Sequence, residues 1–151
     1  MLVPFTGIDA PGTVSRRNNW PMTPCNVVEL KPQLIKYLKH ITGTHVKPRD
    51  IMDIDVKDLE PADVLIASPP CQPYTKMGHQ KGAQDSRSEP FIKLIYCAAE
   101  LRSRRDLKAV IIEESPGVLE YKRGVRFIDI IDKLWEEQMP FERFPRVPNQ
   151  C

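Results

Sequence analysis

The stretch Val64-Leu65-Ile66-Ala67-Ser68-Pro69-Pro70-Cys71-Gln72-Pro73-Tyr74-Thr75 decides the fold. Its first four residues are apolar and partly β-branched, with the length of a buried strand. The prolines at 69, 70 and 73 stop that strand and stiffen the turn behind it, because each fixes its φ and has no N–H for a sheet ladder. The Cys71 thiol is thereby held in a constrained loop at the carboxyl end of a strand. In an open α/β sheet, ligands bind at that edge.

Working outward, Leu2-Val3-Pro4-Phe5 reads as a short first strand running into a turn over 6–12. A strand followed by a Gly-containing turn suits the first βα unit of a nucleotide-binding sheet. Asn26-Val27-Val28-Glu29-Leu30 reads as a second strand ending in an acid, at the place where such sheets hold a ribose through its hydroxyls. Pro32 fits a first helical position, Leu34, Tyr37, Leu38 and Ile41 recur at helical spacing, and Thr42-Gly43 ends the helix. A third strand candidate covers 46–51 and ends in Arg49-Asp50-Ile51, after which Glu60-Pro61 turns the chain into the strand at 62–67.

Beyond the cysteine loop, the pattern is helical from Glu89. Phe91, Ile92, Leu94, Ile95, Ala98, Ala99 and Leu101 form an apolar stripe that places Cys97 near the core. Arg102, Arg104, Arg105 and Lys108 gather where this helix ends, and positive charge there complements the helix dipole rather than marking a nucleic-acid contact. Ala109-Val110-Ile111-Ile112 is apolar throughout and reads as a central strand, running into Glu113-Glu114-Ser115-Pro116-Gly117. The residues 124–138 form a last helix with Ile128, Ile131, Leu134 and Trp135 on one face, and 139–146 begin a further strand. This alternation predicts an α/β fold: a Rossmann-like, mostly parallel sheet with flanking helices.

A chain of 151 residues is one domain's worth and long enough to bury a core. Its net charge of +2 argues neither for nor against a nucleic-acid partner. The 15 prolines are about twice the usual share and imply many fixed turns. The cysteines at 25, 71, 97 and 151 form no Cys-x-x-Cys and no Cys/His pairing at zinc spacing, so no metal site is expected. With no signal peptide, they read as reduced thiols of an intracellular protein, cytoplasmic if the source is a bacterium or a phage. No apolar run approaches the roughly 20 residues that span a bilayer.

Residues Pro69 to Thr75, followed by Gly78, Gly82, Asp85 and Arg87, closely resemble the catalytic loop of the cytosine-C5 methyltransferases: Pro-Pro-Cys-Gln-Pro, an aromatic, a hydroxyl residue, then Gly-x-x-x-Gly-x-x-Asp-x-Arg. The resemblance extends to Phe5 and Gly7 in the family's Phe-x-Gly-x-Gly-Gly cofactor motif, where Asp9 and Ala10 stand near the place of the paired glycines. It also extends to Glu113, which aligns with the catalytic Glu of a Glu-Asn-Val motif, with Glu114 and Ser115 in place of Asn and Val. A second carboxylate there raises the proton affinity of its neighbour.

The resemblance implies a methyltransferase core that binds S-adenosylmethionine through Phe5, Gly7, Glu29, Asp50, Ile51 and Pro70. Glu29 would hold the ribose, Asp50 the adenine amino group, and Ile51 the face of the ring. Cys71 would be the nucleophile and Glu113 its acidic partner, while Gln72, Thr75 and Arg87 become candidates for DNA backbone contact or loop anchoring. The substrate implied is double-stranded DNA with its target cytosine flipped from the stack. The match runs from Phe5 to Gly117 and beyond, without the family's Gln-x-Arg-x-Arg stretch, target-recognition region or C-terminal motif. The expectation is therefore a single partial catalytic domain over 1–151, incomplete at the C-terminus.

Two functional readings follow: a methyltransferase of restriction-modification type whose recognition half is a second chain, or an inactive fragment that binds cofactor, DNA or another protein. A third, an amino-methyltransferase of the Asx-Pro-Pro-aromatic type, has Cys71 where the aromatic belongs and leaves Glu113 without a role. The choice between DNA and RNA cytosine stays open.

Overall fold

The apolar runs become four short parallel strands: β1 (Leu2–Pro4), β2 (Asn26–Val28), β3 (Val64–Ala67) and β4 (Ala109–Ile112), in the spatial order β2-β1-β3-β4. The computed structural model describes residues 1–5, 7, 9–42, 49–74, 85–122 and 125–138. Parallel strands need crossover connections. Helix α1 (Ala10–Arg17) lies between β1 and β2, α2 (Pro32–Thr42) between β2 and β3, and α3 (Glu89–Ser103) between β3 and β4. After β4 come a small antiparallel pair, β5 (Tyr121–Lys122) with β6 (Val125–Arg126), and a last helix, α4 (Phe127–Gln138).

The register is continuous where it matters for function. Leu2, Val3 and Pro4 pair with Asn26, Val27 and Val28, and Val64 through Ala67 pair with Ala109 through Ile112. The core forms around Leu65 of β3 and the stripe of α3, where Leu65, Leu94, Ala98 and Leu101 are sealed from solvent, and α4 adds Ile131. Cys97 belongs to this core, as its stripe position predicts. The basic residues at the end of α3 tie down neighbouring backbone: Arg104 donates to the Leu59 carbonyl at 3.0 Å, and Lys108 pairs with Asp63.

Several local expectations change. β4 is an edge strand of the described sheet rather than a central one. Val110 and Ile112 pack on the core while Ile111, on the opposite face, is 55% exposed. The segment ending in Ile51 is no strand at its described end, since Ile51–Asp53 is a 3-10 turn whose Met52 N–H is capped by the Asp50 carboxylate; 46–48 lie outside the described residues. The expected turn over 6–12 is already helical from Ala10. β2 stops at Val28, leaving Leu30 exposed. The buried face of α2 is Ile35 and Leu38, and Tyr37 points to solvent. The strand proposed over 139–146 lies outside the described residues.

Candidate active site

The chain leaves β1 toward β2 on one side and later places β3 on the other, so the order β2-β1-β3-β4 reverses between β1 and β3. In doubly wound sheets the crevice outside the strand ends at such a reversal is where ligands sit. Phe5 and Gly7 follow the carboxyl end of β1, Glu29 that of β2, Pro70, Cys71 and Gln72 that of β3, and Glu113 that of β4, while Asp50, Ile51 and Arg87 lie at 3-10 turns; the residues after β1 and β3 flank this crevice.

After β1 the backbone bends into a left-handed conformation three times, at Phe5 (φ 56°), Gly7 (φ 55°) and Asp9 (φ 55°). For a bulky residue such as Phe5 this is strained, and such strain gathers at ligand sites. Glu29, just beyond β2, is the tie that holds the turn. Its carboxylate is only 7% exposed and accepts the Gly7 N–H at 2.9 Å through Oε2 and the Lys31 N–H at 2.8 Å through Oε1. Its carbonyl accepts the Arg49 N–H at 3.0 Å, drawing the Asp50–Ile51 stretch to the same corner. Asp50 is half-buried and Ile51 is packed in the core.

Asp9 has a role that the sequence reading missed. It is 3% exposed, accepts the Gly12 N–H at 3.1 Å as the cap of α1, and pairs with Arg16 at 2.9 Å. Aspartate is among the few residues that tolerate the left-handed region, so it takes up a glycine-like backbone while its carboxylate turns into the helix end. The signal available in the sequence was the Asp9…Arg16 spacing around the start of α1.

The loop after β3 alternates between anchored and open residues. Pro69, Pro73 and Tyr74 are buried, Pro70 and Cys71 are half-buried, and Gln72 is exposed. The Tyr74 N–H closes the turn onto the Cys71 carbonyl at 3.0 Å. Burial raises the Tyr74 phenol far above its ordinary ionisation range, so the ring is a neutral anchor beneath the thiol loop. Thr75, Gly78 and Gly82 lie outside the described residues. Asp85 caps the turn that follows it and grips Arg87 at 2.8 Å through Nε and 2.6 Å through Nη2. Arg87 thus anchors its loop, although its side chain remains 43% exposed.

The loop after β4 lies against this one. The Glu113 N–H donates to the Ala67 carbonyl at 2.9 Å, carrying the β3–β4 ladder one step beyond the strands and setting Glu113 at the head of the cysteine loop. Further along, Gly117 packs so closely on the Tyr74 carbonyl that a Cβ would collide with it. Glu113 is exposed at the mouth, and Glu114 is half-buried behind it. Burial first, then the charge of Glu113, push the Glu114 carboxyl up to about 7. The like-charge effect expected from the sequence is therefore present but secondary. A thiol and a carboxylate on adjacent strand ends can add a nucleophile to one atom of a flat ring and hold a proton at another.

Comparisons with known proteins bear on the family and the fold. A family model described as C-5 cytosine-specific DNA methylase matches residues 14–145. The Type II methyltransferase M.NlaIV of Neisseria lactamica is 28% identical over 95 residues, covering 63% of this chain and 22% of its own length. The tRNA (cytosine(38)-C(5))-methyltransferase of Schizosaccharomyces pombe is 25% identical over 120 residues, covering 78% of this chain and 36% of its own. Among solved structures, the Dnmt2 methyltransferase of S. pombe superposes with a TM-score of 0.64 at 21% identity, over 90% of this chain and 41% of the other, which is a likeness of fold. The chain thus spans about a fifth to about a third of the length of these curated relatives. Among the described residues, no helix is long and apolar enough to cross a membrane.

Proposed function

The chain belongs to the C-5 cytosine-specific DNA methylase family, and from that premise we propose that it is the cofactor-binding, nucleophile-bearing part of a cytosine-C5 methyltransferase. The observation that carries the reading is the joining of two loops at adjacent strand ends. The loops that carry Cys71 and Glu113 are tied together through the Glu113–Ala67 hydrogen bond and the contact of Gly117 with Tyr74.

The residues present fit S-adenosylmethionine. Among the described residues, a Cβ built at Gly7 would meet nothing nearer than the Phe5 carbonyl oxygen at 4.0 Å, so no described atom crowds the turn there. Glu29, with one hydrogen bond already on each oxygen, keeps lone pairs for a diol. Phe5, Gly7, Glu29, Asp50, Ile51 and Pro70 are the residues that would hold the cofactor, Ile51 through whatever edge its core packing leaves. When bound, the group supplies an electrophilic methyl at its sulfonium.

The chain's own residues do the rest. Cytosine C5 is a poor nucleophile while the ring is aromatic. Cys71 Sγ, as thiolate, adds to C6 and pushes the electron pair toward C5 and N3. The Glu113 carboxyl, exposed at the mouth, hydrogen-bonds N3 and the exocyclic amine and holds a proton at N3 while the electron-rich ring forms. C5 then takes the methyl group. Loss of the C5 proton to a base restores the C5–C6 double bond as the C6–S bond breaks, returning the thiolate. The target base reaches such a pocket only by leaving the stack. Gln72 is exposed beside the thiol, and Arg87 presents its remaining surface; Thr75 completes the proposed backbone contacts.

Double-stranded DNA is the proposed substrate, with sequence choice supplied by a second chain. The likeness to a tRNA methyltransferase, which covers 78% of this chain, favours testing an RNA cytosine in parallel. The alternative is a catalytically inactive cofactor- or DNA-binding fragment, favoured by the departures from the family motifs at Asp9-Ala10 and Glu114-Ser115. Trapping with 5-fluorocytosine separates these readings, because fluorine at C5 blocks the elimination and leaves the adduct in place. Incubation with the cofactor and a 5-fluorocytosine duplex should yield a covalent complex that Cys71→Ala abolishes. A complex surviving in Cys71→Ala would show that another residue is the nucleophile.

A further inference from the structure

The loop after β4 carries two polar atoms that the chemistry above leaves unused. Glu114 Oε1 and Ser115 Oγ are both buried, and neither has a hydrogen-bond partner among the described residues. The other oxygen of Glu114 accepts the Ser115 N–H at 2.5 Å, so the carboxyl is folded back against its own loop. That loop packs on the cysteine loop through Gly117 and the Tyr74 carbonyl. The titratable groups acting across this contact are Glu113, beside Glu114, and Tyr74 on the cysteine loop, with Asp85 beyond the tyrosine. None of them is a cation. An ionised Glu114 buries a charge away from water and sets a second negative charge beside Glu113, and protonation removes both costs, which outweigh the Ser115 N–H bond that favours the ionised form.

We propose that Glu114 is a positioning residue that keeps the Glu113 loop docked on the Cys71 loop while its own carboxyl is protonated. The proposal rests on reading Cys71 and Glu113 as the catalytic pair, and it makes their alignment sensitive to pH. The docked state binds the Glu114 proton more tightly than an undocked state with an ordinary carboxyl. Docking is therefore strongest in acid, and weakens as pH rises from the ordinary carboxylate range through about 7. For a group so shifted, local opening should grow about tenfold between pH 6 and pH 8.

Amide hydrogen exchange on the full chain, corrected for the intrinsic pH dependence of exchange, reads this directly. The reporters are Tyr74, whose N–H donates to the Cys71 carbonyl, and Val118, whose N–H donates to the Ser115 carbonyl at 3.2 Å. Protection at both should fall about tenfold from pH 6 to pH 8 in the wild type and stay level in Glu114→Gln. A level wild-type profile overturns the proposal, as does an equal fall in Glu114→Gln, or an equal fall in the wild type at buried α3 amides such as Ile95, which would mark global unfolding. Should Glu114→Gln not fold, Glu114→Asn makes the same comparison with a shorter neutral amide, and the wild-type profile decides by itself. Exchange needs neither cofactor nor substrate, so a chain that transfers no methyl group can still satisfy or refute this inference.

Discussion

Glu113 and Glu114 are chemically identical neighbours in different surroundings, and that difference assigns their parts. Glu113 stands exposed at the end of β4, free to meet a substrate, while Glu114 is drawn inward and held toward the protonated state. Environments that push neighbouring carboxyl groups apart mark the division of labour in acid–base sites. Replacing Glu113 by Gln should slow methyl transfer by about 10²- to 10⁴-fold, the usual share of a positioned acid or base, while cofactor affinity measured by titration stays nearly unchanged. A large loss of cofactor binding would mean that Glu113 builds the site rather than acting in it. The cysteines divide in the same way. Burial pushes the Cys97 thiol up to about 11, whereas Cys71 is half-buried in its loop. At pH 8 the folded chain should be alkylated at Cys71 and spared at Cys97, as peptide mass spectrometry can read, because the thiolate is the reactive form.

At the scale of elements, the strand ends were legible and their surroundings less so. The apolar runs at 2–4, 64–67 and 109–112 were legible as strands, and the prolines after 64–67 as their stop, because hydrophobic patterning and proline chemistry act over a few residues. The edge position of β4 was not legible, since an apolar strand looks the same whether one neighbour or two will cover it. Nor was the turn at Asp50, because the same carboxylate that suits a ligand also caps its own backbone two residues on. The pairing of buried Asp9 with exposed Arg16 escaped notice because an unexpected helix brings the two together. What joins the two site loops is again an element-scale contact. Gly117→Ala should cost about 1–3 kcal/mol in denaturant unfolding through overpacking against the Tyr74 carbonyl, and should loosen the cysteine loop. In the core of α3, Leu94→Ala should cost about 2–5 kcal/mol and leave the site contacts in place.

For the molecule as a whole, the parallel sheet sets the placement of every part. Phe5 and Gly7 follow β1, Glu29 follows β2, Cys71 follows β3 and Glu113 follows β4, with the reversal of strand order between β1 and β3. One edge of one sheet therefore gathers residues spread over more than a hundred positions, and a cofactor lying along that edge would bridge β1, β2 and β3. A ligand that binds the folded chain alone must also stabilise it. At about 100 times its dissociation constant, S-adenosylmethionine should raise the unfolding free energy by roughly 2.7 kcal/mol, visible as a higher melting temperature. The most direct measurement is calorimetric titration of the folded chain with S-adenosylmethionine, for the wild type and for Glu29→Ala. Saturable one-to-one binding, lost or strongly weakened in Glu29→Ala, is the expected result. Absence of binding in a wild-type sample shown to be folded would contradict it.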